Sequence, residues 1–435
     1  MTEKKLPVGW EEKKLGEYLY LKNGYAFKRS AYIEKSNNSV PIVRISDING
    51  NTASDKLAIH TTEKVEGFEL QKGDLLIAMS GATTGKLGIY IGNTPAYQNQ
   101  RVGNLKLRNE GCEEFRNHLM FYLQDKVKKL GYGNAQPNIS GKMLEDLDII
   151  LPPLPEQQKL AQKFTELLSM VDHIKQKLET IPLLLKTYRQ AVLAKAVSGE
   201  LSSKWREENN FSAQKEFDQL IENEQFYLNQ KVKDERSKIL KEKEKLRVEK
   251  LNFNVGKLPK GWIFKPFFEF CLLNRGFDLP IQNRIEGSYP ILSAGGVIGF
   301  HNSYKVKGEC VTVGRSGSVG QVFYIDRDCW VLNTALYVKD FGISLPKFVY
   351  YKLQTMNLSQ YSSSTAVPTL NRNEFMFVPV PIPPLEEQKF IVQQVEELLN
   401  FADKLEQQAQ QALAKVNLLK QAILAKGFRG ELMME

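Results

Sequence analysis

Cysteine and histidine are scarce in this chain of 435 residues, with four of each. Cys112, Cys271, Cys310 and Cys329 show no paired spacing and the histidines are scattered, which argues against a disulfide framework and against a zinc site, and points to a reducing compartment. Runs of about eighteen apolar residues are missing, as is a signal-peptide pattern, so a cytoplasmic location without a membrane partner is expected. Catalytic signatures are missing too. The chain has no Asn-Pro-Pro-aromatic motif and no Gly-x-Gly-x-x-Gly cofactor loop. The turn from Gly81 to Lys86 imitates a phosphate-binding loop, but it is one residue short and Leu87 stands where a Ser or Thr would hold magnesium. No cofactor, metal or catalytic constellation is expected in this chain.

What is present is the composition of a globular protein, 42% hydrophobic and 25% charged, with a net charge of +9 that suits a polyanionic partner. A chain of this length can build two cores plus connecting helices.

The strongest signal is a duplication. Leu160, Phe164, Leu167, Val171, Ile174, Leu178, Ile181, Leu185, Tyr188 and Val192 step by four and three without a break. Adding 231 lands on Ile391, Val395, Leu398, Ala402, Leu405, Ala409, Ala412, Val416, Leu419 and Ile423, apolar every time. Pro152-Pro153-Leu154 returns as Pro383-Pro384-Leu385, and Gly199-Glu200-Leu201 returns as Gly430-Glu431-Leu432. The starts of the two halves match as well, since Leu6-Pro7-Val8-Gly9-Trp10 reappears as Leu258-Pro259-Lys260-Gly261-Trp262. The pattern predicts two mixed α+β units, each followed by a long helix.

Between these marks the halves share a weaker order of signals. Gly-rich turns fall at Ser80-Gly81-Ala82-Thr83-Thr84-Gly85 and at Arg315-Ser316-Gly317-Ser318-Val319-Gly320, each followed by an alternating strand pattern. Helices are predicted over 113–130 and 345–358, then polar loops holding Pro137 and Pro368. Residues 204–250 are about half charged with both signs interleaved, which reads as an exposed or partly packed helical connector.

A period of 3.5 sustained over nearly five heptads is a coiled-coil seam, and two copies in one chain can satisfy each other. Pro182 inside the first copy should kink it. An antiparallel pair would set the two units at opposite ends of a rod of roughly 60 Å, related by approximate two-fold symmetry. A core-forming hairpin or a homodimerisation zipper would produce the same pattern, so the helices alone do not fix the function.

The residues together resemble the specificity subunit of type I restriction-modification systems over essentially the full length. The resemblance rests on Pro-Pro-Leu-x-Glu-Gln at 152–157 and 383–388, on the Leu193-Ala194-Lys195-Ala196-Val197-Ser198-Gly199-Glu200-Leu201 exit, on Trp205-Arg206-Glu207-Glu208-Asn209 and on both Gly-Trp starts. It implies target-recognition domains at 1–151 and 256–380, coiled-coil helices at 152–201 and 381–435, and a charged connector at 202–255. It also implies a non-catalytic subunit that reads a bipartite double-stranded DNA target, while its helices set the gap and dock two methyltransferase subunits. Restriction subunits would join through those, and S-adenosylmethionine, ATP and magnesium would belong to the partners.

DNA contact needs Lys or Arg for phosphates and paired donors and acceptors for base edges. In the first half the candidates are Arg44, Thr83, Thr84, Lys86, Asn99, Gln100, Arg101, Gln136, Asn138 and Lys142. In the second they are Arg315, Ser316, Ser318, Asn333, Thr334, Thr365, Thr369, Asn371 and Arg372, with Arg275 and Arg284 as lesser ones. A solvated turn is the ordinary reading of any single loop, but as a set they recur at matching places. The rival from another class is a protein-binding adaptor with duplicated domains, which would show no steep salt dependence on DNA.

Overall fold

The computed structural model describes residues 6–92, 95–132, 137–248, 256–363 and 368–433. Packing divides the chain into two units, one holding residues up to 179 together with 409 onward, the other 180–408. Each long helix is therefore shared. Helix Leu154–Ser198 gives its start to the first unit and its end to the second, and helix Leu385–Phe428 does the reverse. Among the described residues no helix is long and apolar enough to cross a membrane.

In the first unit a sheet runs in the order Leu19–Asn23, Val102–Leu107, Leu75–Ala78, Leu87–Tyr90, and continues to Thr52–Ala53 and Ile48–Asn49. In the second the order Leu272–Arg275, Ala335–Asp340, Cys310–Gly314, Val322–Ile325 repeats its first four strands. Both units add a smaller sheet around a parallel pair, Val40–Val43 beside Ala96–Gln98 and Tyr289–Ser293 beside Trp330–Val331. Each predicted helix is present, as Glu113–Gly131 and Pro346–Thr355.

The Pro-Pro-Leu-x-Glu-Gln repeat joins each unit to its helix. Trp10 Nε1 donates to Glu156 at 2.7 Å, and Trp262 Nε1 donates to Glu387 at 2.9 Å. Gln157 and Gln388 each donate to the first proline carbonyl of their own motif, Pro152 and Pro383, at 2.9 Å. Their carbonyl oxygens accept from backbone N–H groups of Cys112 and Leu345, at the start of the packed helices. The motif thus spends its polar atoms on fixing the direction in which the helix leaves the sheet.

The two long helices meet antiparallel. In the first unit Phe164, early in one helix, packs on Phe428 at the end of the other, with ring centroids 5.1 Å apart. In the second, Val192 and Ala196 near the end of the first helix share a core with Ile391 and Val395 near the start of the other. Leu160, Val171 and Val416 are buried, and Leu167, Leu178 and Leu398 half-buried. Ile174, Leu405 and Leu419, at seam positions too, are exposed. With only two helices, a seam residue away from the sheets has cover on one side alone. The helix continues through Pro182, which cannot donate to the Leu178 carbonyl.

The connector is more than a solvated linker. Helices Ala213–Asn229 and Glu235–Leu246 pack on the second unit, where Ala213 and Phe217 enter its core. Lys243 is fully buried among Glu224 at 2.9 Å, Asp340 at 2.9 Å and Glu269 at 3.4 Å. Arg247 reaches Glu224 at 2.7 Å and donates to both carboxylate oxygens of Glu269 through Nε and Nη2.

Candidate nucleic-acid interface

In each unit three candidate loops are tied together by the backbone of one residue. Met79 N–H donates to the Arg101 carbonyl at 2.9 Å, and its own carbonyl accepts from Ile139 N–H at 2.8 Å. Arg315 repeats this, donating to Thr334 at 2.9 Å and accepting from Leu370 at 2.8 Å. The next residues also correspond, since Ser80 bridges Asn138 and Ser316 bridges Thr369. The Gly-rich turns close the same way, Gly85 N–H on the Ala78 carbonyl and Gly320 N–H on that of Gly314. Gly85 and Gly320 hold φ of +81° and +79°, where a side chain is strained.

A further match fixes the loop before each second contact. Tyr25 N–H donates to Gln98 and its carbonyl accepts from Gln100 N–H, as Phe277 does with Val331 and Asn333. Just before Tyr25 and Phe277, Gly24 and Gly276 lie so close to the carbonyls of Asn99 and Leu332 that an added Cβ would stand 2.2 and 2.3 Å from them. The frame is built almost entirely from backbone atoms, so side chains could change around it without breaking it.

On the first frame Gln100, Arg101, Asn138 and Lys142 are exposed and Lys86 half-buried. The side chains of Lys86, Arg101 and Lys142 make no hydrogen bond or ion pair among the described residues, which leaves three cations for an anionic partner. Other candidates are taken up by the fold. The Thr84 hydroxyl is buried and donates to the Gly81 carbonyl at 2.7 Å, tying the turn shut. Thr83 is half-buried, with its hydroxyl oxygen buried and unpaired among the described residues. Asn99 is buried, its amide donating to the Tyr32 hydroxyl at 3.1 Å. Arg44 is half-buried beside Asp47, whose carboxylate accepts the Arg44 N–H at 2.8 Å. Burial pushes the Asp47 carboxyl up, against the pull of that N–H and of the Arg44 charge.

On the second frame Arg315, Ser316, Ser318, Asn333, Thr334 and Thr369 are half-buried. Arg315 reaches the Asn333 carbonyl at 3.5 Å, the Asn333 amide donates to Asp278, and the Thr334 hydroxyl oxygen is buried and unpaired among the described residues. Asn371 caps a short helical turn by accepting from Asn373 N–H. Arg372 is taken up by the fold, donating to the Leu273 carbonyl and to Asn274 at 3.1 Å and lying 3.7 Å from Glu242 of the connector. Arg275 pairs with Asp278 at 3.7 Å, and Arg284 donates to the Leu279 carbonyl at 3.4 Å. Gln136 and Thr365 lie outside the described residues. Sequence reasoning passed over Met79, Tyr32 and Asp278, because what they do depends on partners 22 to 67 residues away.

Among the described residues no cluster of His, Cys, Asp and Glu could hold a metal ion. The arrangement offers hydrogen-bonding turns and free cations on a rigid backbone.

The family described as the type I restriction modification DNA specificity domain has a model that matches residues 7–183 and again 259–415. The type I restriction enzyme EcoBI specificity subunit of Escherichia coli is 31% identical over 94% of this chain and 83% of its own length. That of EcoDI, from the same species, is 28% identical over 99% and 90%. The HsdS subunit from Thermoanaerobacter tengcongensis has the same fold, at a TM-score of 0.62 with 17% identity over 99% of both chains. A chain from a study of complex assembly and conformational transition in the type I R-M system superposes at 0.66, also with 17% identity, over 98% of this chain and all of its own.

Proposed function

The chain belongs to the family of type I restriction-modification DNA specificity subunits, and on that premise we propose that it reads a bipartite DNA target, one half-site per unit, for a methyltransferase and endonuclease complex. Its long helices set the gap between half-sites and dock two methyltransferase subunits. Restriction subunits join through these. The chain itself is non-catalytic in this reading, and S-adenosylmethionine, ATP and magnesium are bound by the partners. The observation that carries the proposal is the repeated backbone frame with different side chains on its two copies, Lys86, Gln100, Arg101, Asn138 and Lys142 on the first and Arg315, Ser316, Ser318, Asn333, Thr334 and Thr369 on the second. Cations position a protein on phosphates, and side chains with paired donors and acceptors discriminate bases.

Mapping modified adenines in the genome that encodes the complex tests this. A motif split by a fixed unspecified gap is expected, and a single continuous motif would overturn the two-reader arrangement. Lengthening both long helices by a matched heptad within their paired stretch should widen the gap, whereas an unchanged gap would remove the spacing role from the helices.

Arg101→Ala should cost ~1–3 kcal/mol of discrimination at one base pair if the guanidinium reads a base edge. The check is binding to a panel of single-base variants of the mapped target. Uniform weakening with a shallower salt slope would reassign Arg101 to a phosphate.

A further inference from the structure

The second unit presents an exposed apolar turn that the hydrogen-bonding candidates do not include. Strand Tyr289–Ser293 turns back through Ala294 and Gly295 into edge strand Gly296–His301. On that edge Val297 is 48% exposed and Ile298 49%. Successive strand residues face opposite sides, so one of an adjacent apolar pair ordinarily turns inward, and sheet edges are usually blunted by charge or proline. This edge has neither, but a register shift opposite Ile291 and Leu292 leaves Ile298 as an unpaired bulge residue, which lets both side chains face outward.

The turn is held in place. Ser293 Oγ donates to the Gly296 carbonyl at 3.1 Å and accepts from Gly295 N–H at 3.3 Å. Gly296 has φ of +104°, and a Cβ there would stand 3.1 Å from the Phe323 ring.

It also adjoins the Gly-rich turn of the candidate interface. A Cβ on Gly295 would lie 3.5 Å from Ser318 Oγ, and one on Gly314 would lie 2.8 Å from the Ala294 carbonyl. Register identifies the counterpart in the first unit. Leu292 accepts from Leu332 N–H at 2.8 Å as Val43 accepts from Asn99 N–H at 3.1 Å. After Val43 the chain enters a short helical turn, Ile45–Asp47 with Arg44 at its N-cap, which holds Ser46 and buried Asp47. That turn also holds half-buried Ile45, whose side chain would lie 3.5 Å from a Cβ on Gly81, so the place is mixed in the first unit and carries the exposed apolar pair only in the second.

The major groove displays one apolar group, the thymine C5-methyl, and it distinguishes T·A from every other pair in combination with the neighbouring acceptor. We infer that Val297 and Ile298 contact thymine methyl groups in the half-site read by the second unit, beside the hydrogen bonds offered by Ser316 and Ser318. The inference rests on the reading of the chain as a DNA specificity subunit.

The experiment uses the complex purified with its methyltransferase subunits and duplexes of the mapped target in which each thymine is replaced singly by deoxyuridine, which lacks only that methyl. At one or two positions affinity should fall roughly fourfold per methyl. The double variant Val297→Ser, Ile298→Ser should bind the thymine and deoxyuridine duplexes equally at those positions, while keeping its circular dichroism spectrum and its discrimination at the other half-site. Insensitivity at every thymine, a variant with unchanged sensitivity, or a target without T·A pairs in one half would each overturn the inference and leave DNA reading intact. Failure of the unaltered complex to prefer the mapped target would instead sink the reading beneath it.

Discussion

Replacing Lys243 by Ala should cost the second unit ~3–5 kcal/mol, because it leaves Glu224, Glu269 and Asp340 with Arg247 as the remaining cation. Burial alone would pull the Lys243 ammonium down, but the carboxylates of Asp340, Glu269 and Glu224 together outweigh it and hold the group above the ordinary lysine value. A lysine raised in the folded state contributes its stability in full below the unfolded value and loses it as pH climbs through the folded one. The wild-type protein should therefore lose part of its margin on the alkaline side of the ordinary lysine range, and the variant should lack that component of the pH dependence. Urea unfolding, with hydrogen exchange followed in peptides across 213–247, measures both. An unchanged midpoint would show that the connector does not depend on this cluster.

The second large effect concerns the two copies of the proline-rich motif. Glu387 is buried and accepts from Trp262 Nε1 at 2.9 Å and from Ser202 Oγ at 2.7 Å, and it also pairs with Arg206. Glu387→Ala strands a largely buried guanidinium and an indole N–H, at ~3–5 kcal/mol. Glu156 in the first copy is half-buried and accepts from Trp10 Nε1, so Glu156→Ala should cost only ~1–3 kcal/mol, the range for one unsatisfied buried donor. The sequence contains four tryptophans, of which Trp10 alone lies in the first unit, so its fluorescence separates the two transitions. Equal losses in the two variants would mean that Arg206 contributes nothing to the second copy.

Much of this architecture was legible because duplication prints its own register. The heptad positions, the Gly-Trp starts and the motif at 152–157 and 383–388 could be aligned by eye, and the order of strands and turns followed from them. What the motif does was not legible. Its glutamates bond tryptophans 146 and 125 residues away, and nothing local marks those partners. The connector was legible as a helical stretch, exposed or partly packed, but its buried cluster was not, for a different reason. Alternating charges look the same whether solvent or other carboxylates surround them, and only the fold reveals that Lys243 faces three acids from separate segments. The candidate loops were found by their order along the chain, yet composition could not tell a presented side chain from one consumed in closing a turn. Arg101 and Thr84 looked alike as DNA readers, although the first is exposed and the second is buried against the Gly81 carbonyl.

Because the frame at Met79 and Arg315 is stitched by main-chain atoms, its cohesion depends little on which amino acids decorate it, the glycines at 24, 85, 276 and 320 excepted. Mutation can therefore explore new codes at little cost to folding, and a whole head could be traded for one from a cousin if the tryptophan, glutamate and glutamine at the junction came along. Such a scaffold keeps its reading groups apart from the groups that hold the fold together.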